Sequence, residues 1–416
     1  MTDNLTLLFL ACFALNLVIR LWLKLRHIRF VGAHRRAVPV EFAGSISLEA
    51  HQKAADYTVD RSKSAILGAL IEAGLLLALT LGGGLGWLHE LWSPRLDGLT
   101  YGLAMIFSVM AISGLIDLPL SLYRQFVIEA RHGFNRMTPG LFFADLIKQT
   151  LLGIAIGAPV ILAVLWLMGA MGQFWWLYVW LFWSAFNLLI MFVYPTWIAP
   201  LFNKFSPLED GEMKSRIEAL LSRCGFRSSG LYVMDGSKRS SHGNAYFTGF
   251  GNNKRIVFFD TLLSRLDPPE VEAVLAHELG HFRKKHVVKR MVLMFAGSLG
   301  FLWLLGQLID APWFFAGLGV PAGNTALALI LFFLVMPVFV FPLSPLMSFL
   351  SRRDEFEADA YAAQHAAAGD LVHALVKLYR DNASTLTPDP LHSLFHDSHP
   401  PAAQRIAHLQ LQEKPA

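Results

Sequence analysis

Residues His277-Glu278-Leu279-Gly280-His281 form an HExxH motif in a chain that is otherwise mostly apolar. On a helix, positions four apart lie one turn apart on the same face. His277 and His281 can therefore offer two imidazole nitrogens to one tetrahedral zinc. Glu278 lies beside them, where a carboxylate can take a proton from the attacking water. With 15 His and at most 31 Glu in 416 residues, composition alone gives about 0.04 chance matches. The plainer reading is an amphipathic helix with exposed His and Glu.

The rest of the chain sets the context for that motif. It is 54% hydrophobic and 16% charged, with a mean hydropathy of +0.45. A soluble chain of this length carries about a quarter charged residues. Seven segments are long and apolar enough to span a bilayer, near 5–23, 64–88, 100–122, 150–171, 174–195, 287–308 and 325–349. The first is not a cleaved signal, because Met1-Thr2-Asp3-Asn4 lacks positive charge and the basic residues follow the apolar stretch. Cys12 and Cys224 lie far apart and give no sign of a disulfide framework or a Cys-type zinc site.

Charge orients the loops. Residues 24–63 hold eight Lys/Arg and residues 124–148 hold four, whereas 89–99, 172–173 and 309–324 hold only Arg95. The positive-inside rule then places the N-terminus outside and puts 197–286 and the tail after 350 in the cytoplasm. The net charge of +4 is explained by this topology and calls for no nucleic-acid partner. Asn16, Arg20, Glu72, Asp117 and Asn187 fall inside spans. Arg20 is near a span end and can snorkel. Glu72 and Asp117 imply either a hydrated chamber or interhelical hydrogen bonds.

The chain divides into residues 1–196 (five membrane helices), 197–286 (a cytoplasmic insert), 287–350 (two further helices) and 351–416 (a cytoplasmic tail). In the insert, Glu212–Cys224 has helical spacing and is stopped by Gly225. Leu231–Met234 and Ile256–Phe259 read as strands. Pro268-Pro269-Glu270 opens the helix with the HExxH motif. A third metal ligand is then needed. The metzincin continuation would place Gly at 284 and His at 287, but Lys284 and Val287 stand there. The candidates lie in Ser351-Arg-Arg-Asp-Glu-Phe-Glu-Ala-Asp-Ala-Tyr361. Glu355 and Asp359 share a helix face, while Glu357 is about 200° around from Glu355. Glu355 as ligand, with Asp359 accepting from a ligand His, is the economical arrangement. A solvated acidic face beside Arg352 and Arg353 is the alternative.

These residues resemble the Ste24-type zinc metalloproteases, the CAAX prenyl protease 1 group of the M48 peptidases. The likeness covers nearly the whole chain. It rests on Glu129-Ala-Arg-His-Gly-Phe-Asn135, Ser241-His-Gly-Asn-Ala-Tyr-Phe-Thr-Gly249, Lys254-Arg-Ile-Val-Phe-Phe-Asp-Thr-Leu262, Ala276-His-Glu-Leu-Gly-His281, Ser351 to Asp359, and Ser398-His-Pro-Pro401 followed by Arg405. Gly243 departs from the family pattern, where a larger polar residue is common.

The resemblance implies a mainly α polytopic membrane protein of about seven transmembrane helices enclosing a chamber, with a small α/β zincin-like cytoplasmic domain. It implies one Zn2+ per chain on His277, His281 and Glu355, with Glu278 as general base. Asn244, Ala245 and Tyr246 would form an extended edge pairing with substrate backbone, although Asn244 also suits a turn. His399 and Arg405 would sit near the site as catalytic residues, one or other helping the metal to hold the oxyanion, although His399 could simply cap the tail. His286 could support a metal ligand from behind, but its position at a membrane boundary favours an interfacial role.

The expected activity is zinc endopeptidase cleavage of C-terminal CAAX tails behind a prenylated cysteine, in a bacterial inner membrane with the site on the cytoplasmic side. Two other readings stay open. One is a quality-control protease clearing stalled or misfolded chains. The other is a transporter or scaffold with a structural zinc, which would need a fourth protein ligand.

Overall fold

The computed structural model describes residues 1–248 and 255–413; Gly249 and Lys254 of the motifs quoted above lie outside them. The first half is helical: α1 (Thr2–His34), α2 (Leu48–Leu79), α3 (Gly84–Trp92), α4 (Gly98–Tyr123), α5 (Pro139–Ala170) and α6 (Trp175–Val193). A small domain follows, with β1 (Phe205–Pro207), α7 (Glu212–Arg223), β2 (Leu231–Met234), β3 (Ala245–Thr248), β4 (Arg255–Phe259), α8 (Asp260–Leu263) and α9 (Pro268–Arg283). The chain returns to apolar helices with α10 (His286–Leu308), α11 (Pro312–Ala316) and α12 (Thr325–Val340). It ends in α13 (Ser344–His365), α14 (Ala368–Asp381), α15 (Pro390–His396) and α16 (Ala402–Glu413).

Seven helical runs are long and apolar enough to cross a membrane, matching the number read from sequence. Their boundaries differ in instructive ways. The expected span 64–88 is interrupted at Thr80–Gly83, where Gly83 adopts φ +78° and α3 begins in a new direction. Hydropathy does not register this break, because the residues on both sides are apolar. At 32 to 33 residues, α1, α2 and α5 are about 50 Å long, longer than the roughly 30 Å hydrocarbon core. Their polar ends therefore extend past it. The 350/351 boundary falls inside α13, which follows α12 after only the turn Phe341–Leu343.

One core holds the membrane helices together at a single end. It joins Phe9 of α1, Leu79 of α2, Met105 of α4, Leu165 of α5, Val179 of α6, Leu305 of α10 and Leu331 of α12. These are alternately the beginnings and ends of successive spans, as up-and-down threading requires. Leu7, Leu15 and Val18 of α1 are exposed, as suits a lipid-facing side.

Towards the other end, a cavity of about 400 Å³ opens between α1, α2, α4 and α12, lined by Asn16, Arg20, Glu72, Ser113 and Asp117. Arg20 donates to Glu72 Oε2 at 2.8 Å rather than snorkelling. Ser121 donates to Asp117. The intramembrane charges thus line one cavity, with an interhelical bond at Glu72 and a bond within α4 at Asp117.

The small domain is a sheet of order β1-β2-β4-β3 backed by α7, α9 and α14. Leu220, Ile256, Phe258, Leu275, Leu279 and Leu371 form its core. β2 and β4 run parallel, and β3 pairs antiparallel with β4 as the outer strand, Tyr246 opposite Val257. β1 was not legible because three residues, Phe-Ser-Pro, carry no alternation.

Candidate metal centre and active site

α9 starts on a complete capping box. The Asp267 side chain accepts from the third-residue amide, Glu270 Oε2 accepts from the Asp267 amide at 2.8 Å, and Pro268 takes the first helical position. Lys377 of α14 bridges both carboxylates at 2.7 and 2.8 Å. The helix is buried along nearly its whole length, so the motif sits on a rigid element.

Against α9 lies α13, presenting Glu355, Ala358, Asp359 and Ala362 on one buried face. Gly280 is what lets the two helices meet. A β-carbon there would stand 2.9 Å from Ala358 Cα and 3.1 Å from both Ala358 O and Tyr361 Cβ.

This approach brings three ligand atoms together. His277 Nε2 and His281 Nε2 are 3.2 Å apart, and each is 3.4 Å from a Glu355 oxygen. Bonds of 2.0–2.1 Å to a tetrahedral zinc require ligand atoms about 3.3 Å apart. Glu355 Oε2 is moreover buried with no hydrogen-bond partner, a costly state for a carboxylate oxygen unless a cation satisfies it. The residues therefore fit a zinc ion. Among the described residues, the group that could hold a metal comprises these three side chains alone.

Each ligand imidazole is held from behind. Asp359, fully buried, lies 2.8 Å from His277 Nδ1. It is gripped in turn by Arg405, whose Nε and Nη2 donate to its two oxygens at 2.9 and 2.5 Å. Burial opposes the charge on Arg405, but Asp359 and Glu355 outweigh it and raise the guanidinium above its ordinary pKa. Arg405 was expected beside the oxyanion with His399. The structure places it behind His277 instead, 6% exposed, with its planar fork occupied by Asp359.

His281 Nδ1 faces His286 Nδ1 at 2.9 Å, and His286 Nε2 lies 3.2 Å from Glu357. His286 is 1% exposed, which corrects its interfacial reading. Lys285 explains why sequence position misled: it adopts φ 59°, ψ 32°, a left-handed turn that costs an L-residue about 1–2 kcal/mol. That turn folds the start of α10 beneath His281. Glu357, about 200° from Glu355, thereby finds a partner of its own.

Glu278 is half-buried and carries no hydrogen bond or ion pair among the described residues, leaving its carboxylate free to hold a water. His399 Nε2 is 3.5 Å from Glu355 Oε1 on an exposed side chain. Asn244, Ala245 and Tyr246 lie at the start of β3. Asn244 O accepts from the Phe259 amide at 3.0 Å, and its own Oδ1 accepts from the Ala245 amide. Its backbone thus extends the sheet while its side chain makes a turn-like local bond. Phe247 packs on Phe282 of α9, ring centroids 5.0 Å apart, tying strand to motif.

The Glu129–Asn135 motif has no role assigned from sequence, and the structure supplies one. Tyr57 of α2 donates to Glu129 Oε1 at 2.6 Å, Glu129 Oε2 lies 3.6 Å from His242 Nε2, and Phe134 stacks on the His242 ring at 4.3 Å. Membrane helices and the loop before β3 are thereby clamped together. The signal was the motif's polar content directly after a span; its partner His242, more than a hundred residues on, was not readable.

Comparison with known proteins agrees with this geometry. The family described as CAAX prenyl protease N-terminal, five membrane helices, matches residues 27–204, and peptidase family M48 matches residues 207–413. The chain is 37% identical to the CAAX prenyl protease 1 homolog of Arabidopsis thaliana over 91% of both chains. It is 35% identical to the human homolog over 90% of this chain and 88% of that one. The crystal structure of S. mikatae Ste24p superposes with a TM-score of 0.91 at 32% identity, covering 97% of this chain and 99% of that one. Zinc-compatible ligands, helix order and whole-length similarity together lead to one assignment: the chain belongs to the CAAX prenyl protease 1 (Ste24) group of the M48 peptidases and is a multi-pass membrane metalloprotease.

Proposed function

We propose that the chain is a zinc endopeptidase that removes the C-terminal peptide of CAAX-type substrates, with its site on the basic, cytoplasmic side of the bilayer. The observation that carries the chemistry is the trio of converging ligand atoms at 3.2–3.4 Å with Glu278 alongside and no fourth protein ligand among the described residues. A structural zinc normally has four.

Zinc on His277, His281 and Glu355 would supply Lewis acidity towards a water and the scissile carbonyl near neutral pH. Glu278 takes the proton of the attacking water and delivers it to the leaving amine. His399 donates to the oxygen that becomes negative. Asp359 with Arg405, and His286 with Glu357, fix the tautomers and orientations of the two ligand imidazoles. The free side of β3 pairs with extended substrate backbone from Asn244 to Tyr246, so binding tolerates varied side chains.

The substrate class is supported by the names of the relatives. The orientation is supported by the lysine and arginine distribution, because the metal centre lies at the end of the bundle where residues 24–63 and 124–148 carry their positive charge. The relatives named above come from a plant, an animal and a yeast and lend no support to the narrower expectation of a bacterial inner membrane.

The test is cleavage of a farnesylated CAAX peptide and its unfarnesylated twin by purified protein, with and without a chelator. Chelator-sensitive, lipid-dependent cleavage is expected. Equal cleavage of both peptides would keep the zinc chemistry and move the biology to general membrane proteolysis.

A further inference from the structure

A cavity of about 490 Å³ adjoins the metal centre, and apart from His399 its lining has no part in the chemistry above. It lies between α1, α2 and the chain from Tyr379 to Pro401. His399 forms one wall, with its Nε2 3.5 Å from Glu355 Oε1, so the cavity begins beside a metal ligand. Asn382 forms another wall, and its Oδ1 accepts from the Gly243 amide at 3.1 Å, immediately before the substrate-pairing strand. A peptide lying on β3 and across the metal therefore has this cavity beside it.

Two cations, Lys24 of α1 and Arg61 of α2, line the cavity. Neighbouring arginines are already paired: Arg20 with Glu72, Arg26 with Asp389, Arg35 with Asp56 and Arg131 with Asp60. Lys24 and Arg61 make no ion pair with a carboxylate among the described residues. Arg61 instead rests over the Tyr57 ring, 5.4 Å from its centroid, an arrangement that holds the guanidinium without neutralising it. Asp397 is the one carboxylate in the wall, which leaves the lining net positive. A volume of this size is within the roughly 300–1,000 Å³ range of small-ligand sites and has room for a short peptide.

We infer that Lys24 and Arg61 bind the free α-carboxylate at the C-terminal end of the substrate, on the side of the scissile bond that leaves as a short peptide. This rests on the proteolytic reading above. An Arg fork matches a carboxylate with two parallel hydrogen bonds, and Lys adds a point charge. With the two cations in its walls and the metal ligands beside it, the cavity would couple recognition of the chain terminus to the position of the bond that is cut. A free C-terminus is then a recognition element, and an internal loop of the same sequence is not.

The test uses full-length, zinc-loaded protein and two farnesylated peptides identical except for a terminal carboxylate or carboxamide. The acid is expected to exceed the amide about tenfold or more in kcat/KM, chiefly through KM. In Lys24→Gln, Arg61→Gln and the double variant, the ratio should fall towards one. Equal cleavage of acid and amide by the unaltered protein overturns the inference, whether or not the variants fold. So does a variant series that lowers both substrates by the same factor.

An anionic lipid headgroup shares this chemistry. Inhibition of both peptides alike by added phosphatidylglycerol, with no acid preference, would assign the cations to lipid and overturn the inference too. Binding is read without turnover as competition by tripeptide acid and tripeptide amide for a fluorescent peptide on Glu278→Gln. Acid-selective competition on this variant, together with failure of the unaltered zinc-loaded protein to cleave either peptide, would preserve the site and remove the proteolytic reading.

Discussion

Replacing Gly280 by alanine adds one carbon at the tightest point between the two ligand-bearing helices. That β-carbon would lie 2.9 Å from Ala358 Cα and 3.1 Å from Ala358 O, both backbone atoms that cannot rotate away. Carbon–carbon contacts are comfortable at about 3.5–4.0 Å, so α13 must retreat by about 0.6 Å or more. Overpacking of this kind costs about 1–3 kcal/mol.

The larger effect falls on the metal. Glu355 sits one turn before Ala358 and moves with it, away from imidazoles that are now 3.4 Å from its oxygens. Misplacement by about 1 Å can cost 10²-fold in rate. We therefore expect Gly280→Ala to remain folded, to lose zinc to a chelator at 10- to 100-fold lower concentration than the parent, and to recover activity partly in excess zinc. The assay is zinc content and peptide cleavage across a graded chelator series. Unchanged zinc retention with unchanged turnover would refute the claim that Gly280 sets the helix spacing. So would lost turnover at full zinc content, since the defect would then not lie in the ligand set.

Glu278→Gln should abolish cleavage by a factor of at least about 10² while zinc content stays full; undiminished turnover sinks the general-base assignment. Asp359→Asn removes one partner of a fully buried pair and strands the Arg405 charge, which costs about 3–5 kcal/mol. A lowered melting temperature and weaker zinc retention should appear together, and a melting curve matching the parent would count against the pair. His286→Ala should reduce zinc affinity about tenfold or more through loss of orientation at His281, with isothermal titration as the check; unchanged affinity would return His286 to an interfacial role. Glu129→Gln should raise KM for peptide several-fold with zinc content intact, because it loosens the loop ahead of Asn244. A fall in zinc content instead would place its effect elsewhere.

Much of the fold was legible because its determinants are local. Apolar runs of bilayer length show in hydropathy whatever they pack against, and seven of them were counted and found. The HExxH helix announces itself through Pro268, Glu270 and the four-residue spacing of His277 and His281. Glu355 and Asp359 were separable from Glu357 by helical angle alone, and the structure points the first two at α9 and the third at His286. What escaped depends on where the chain turns. The break at Thr80–Gly83 lies between apolar segments of equal hydropathy. His286 changes from an apparent membrane-boundary residue to a support for His281 through one backbone conformation, at Lys285, that no pattern of side chains foretells.

Arg405 turns on a related point: a cation near a catalytic site can face the reacting atoms or the residues that hold them, and sequence separation does not distinguish the two. Burial does. A guanidinium that is 6% exposed, with Nε and Nη2 on Asp359 and Nη1 3.7 Å from Glu355 Oε2, is committed to the residues that surround the metal ligands. The exposed His399, by contrast, has its Nε2 3.5 Å from Glu355 and its Nδ1 3.0 Å from the Ser398 hydroxyl. The two residues of the C-terminal tail thus divide the work by solvent exposure. On the proposed function, the buried one would keep a ligand histidine in place and the accessible one would meet the substrate. Both reach the site only because α14 and α16 pack onto the small domain and the loop after α1, through Val376, Ile406 and Phe42. The tail is therefore part of the catalytic centre, although it lies more than a hundred residues from the motif that defines it.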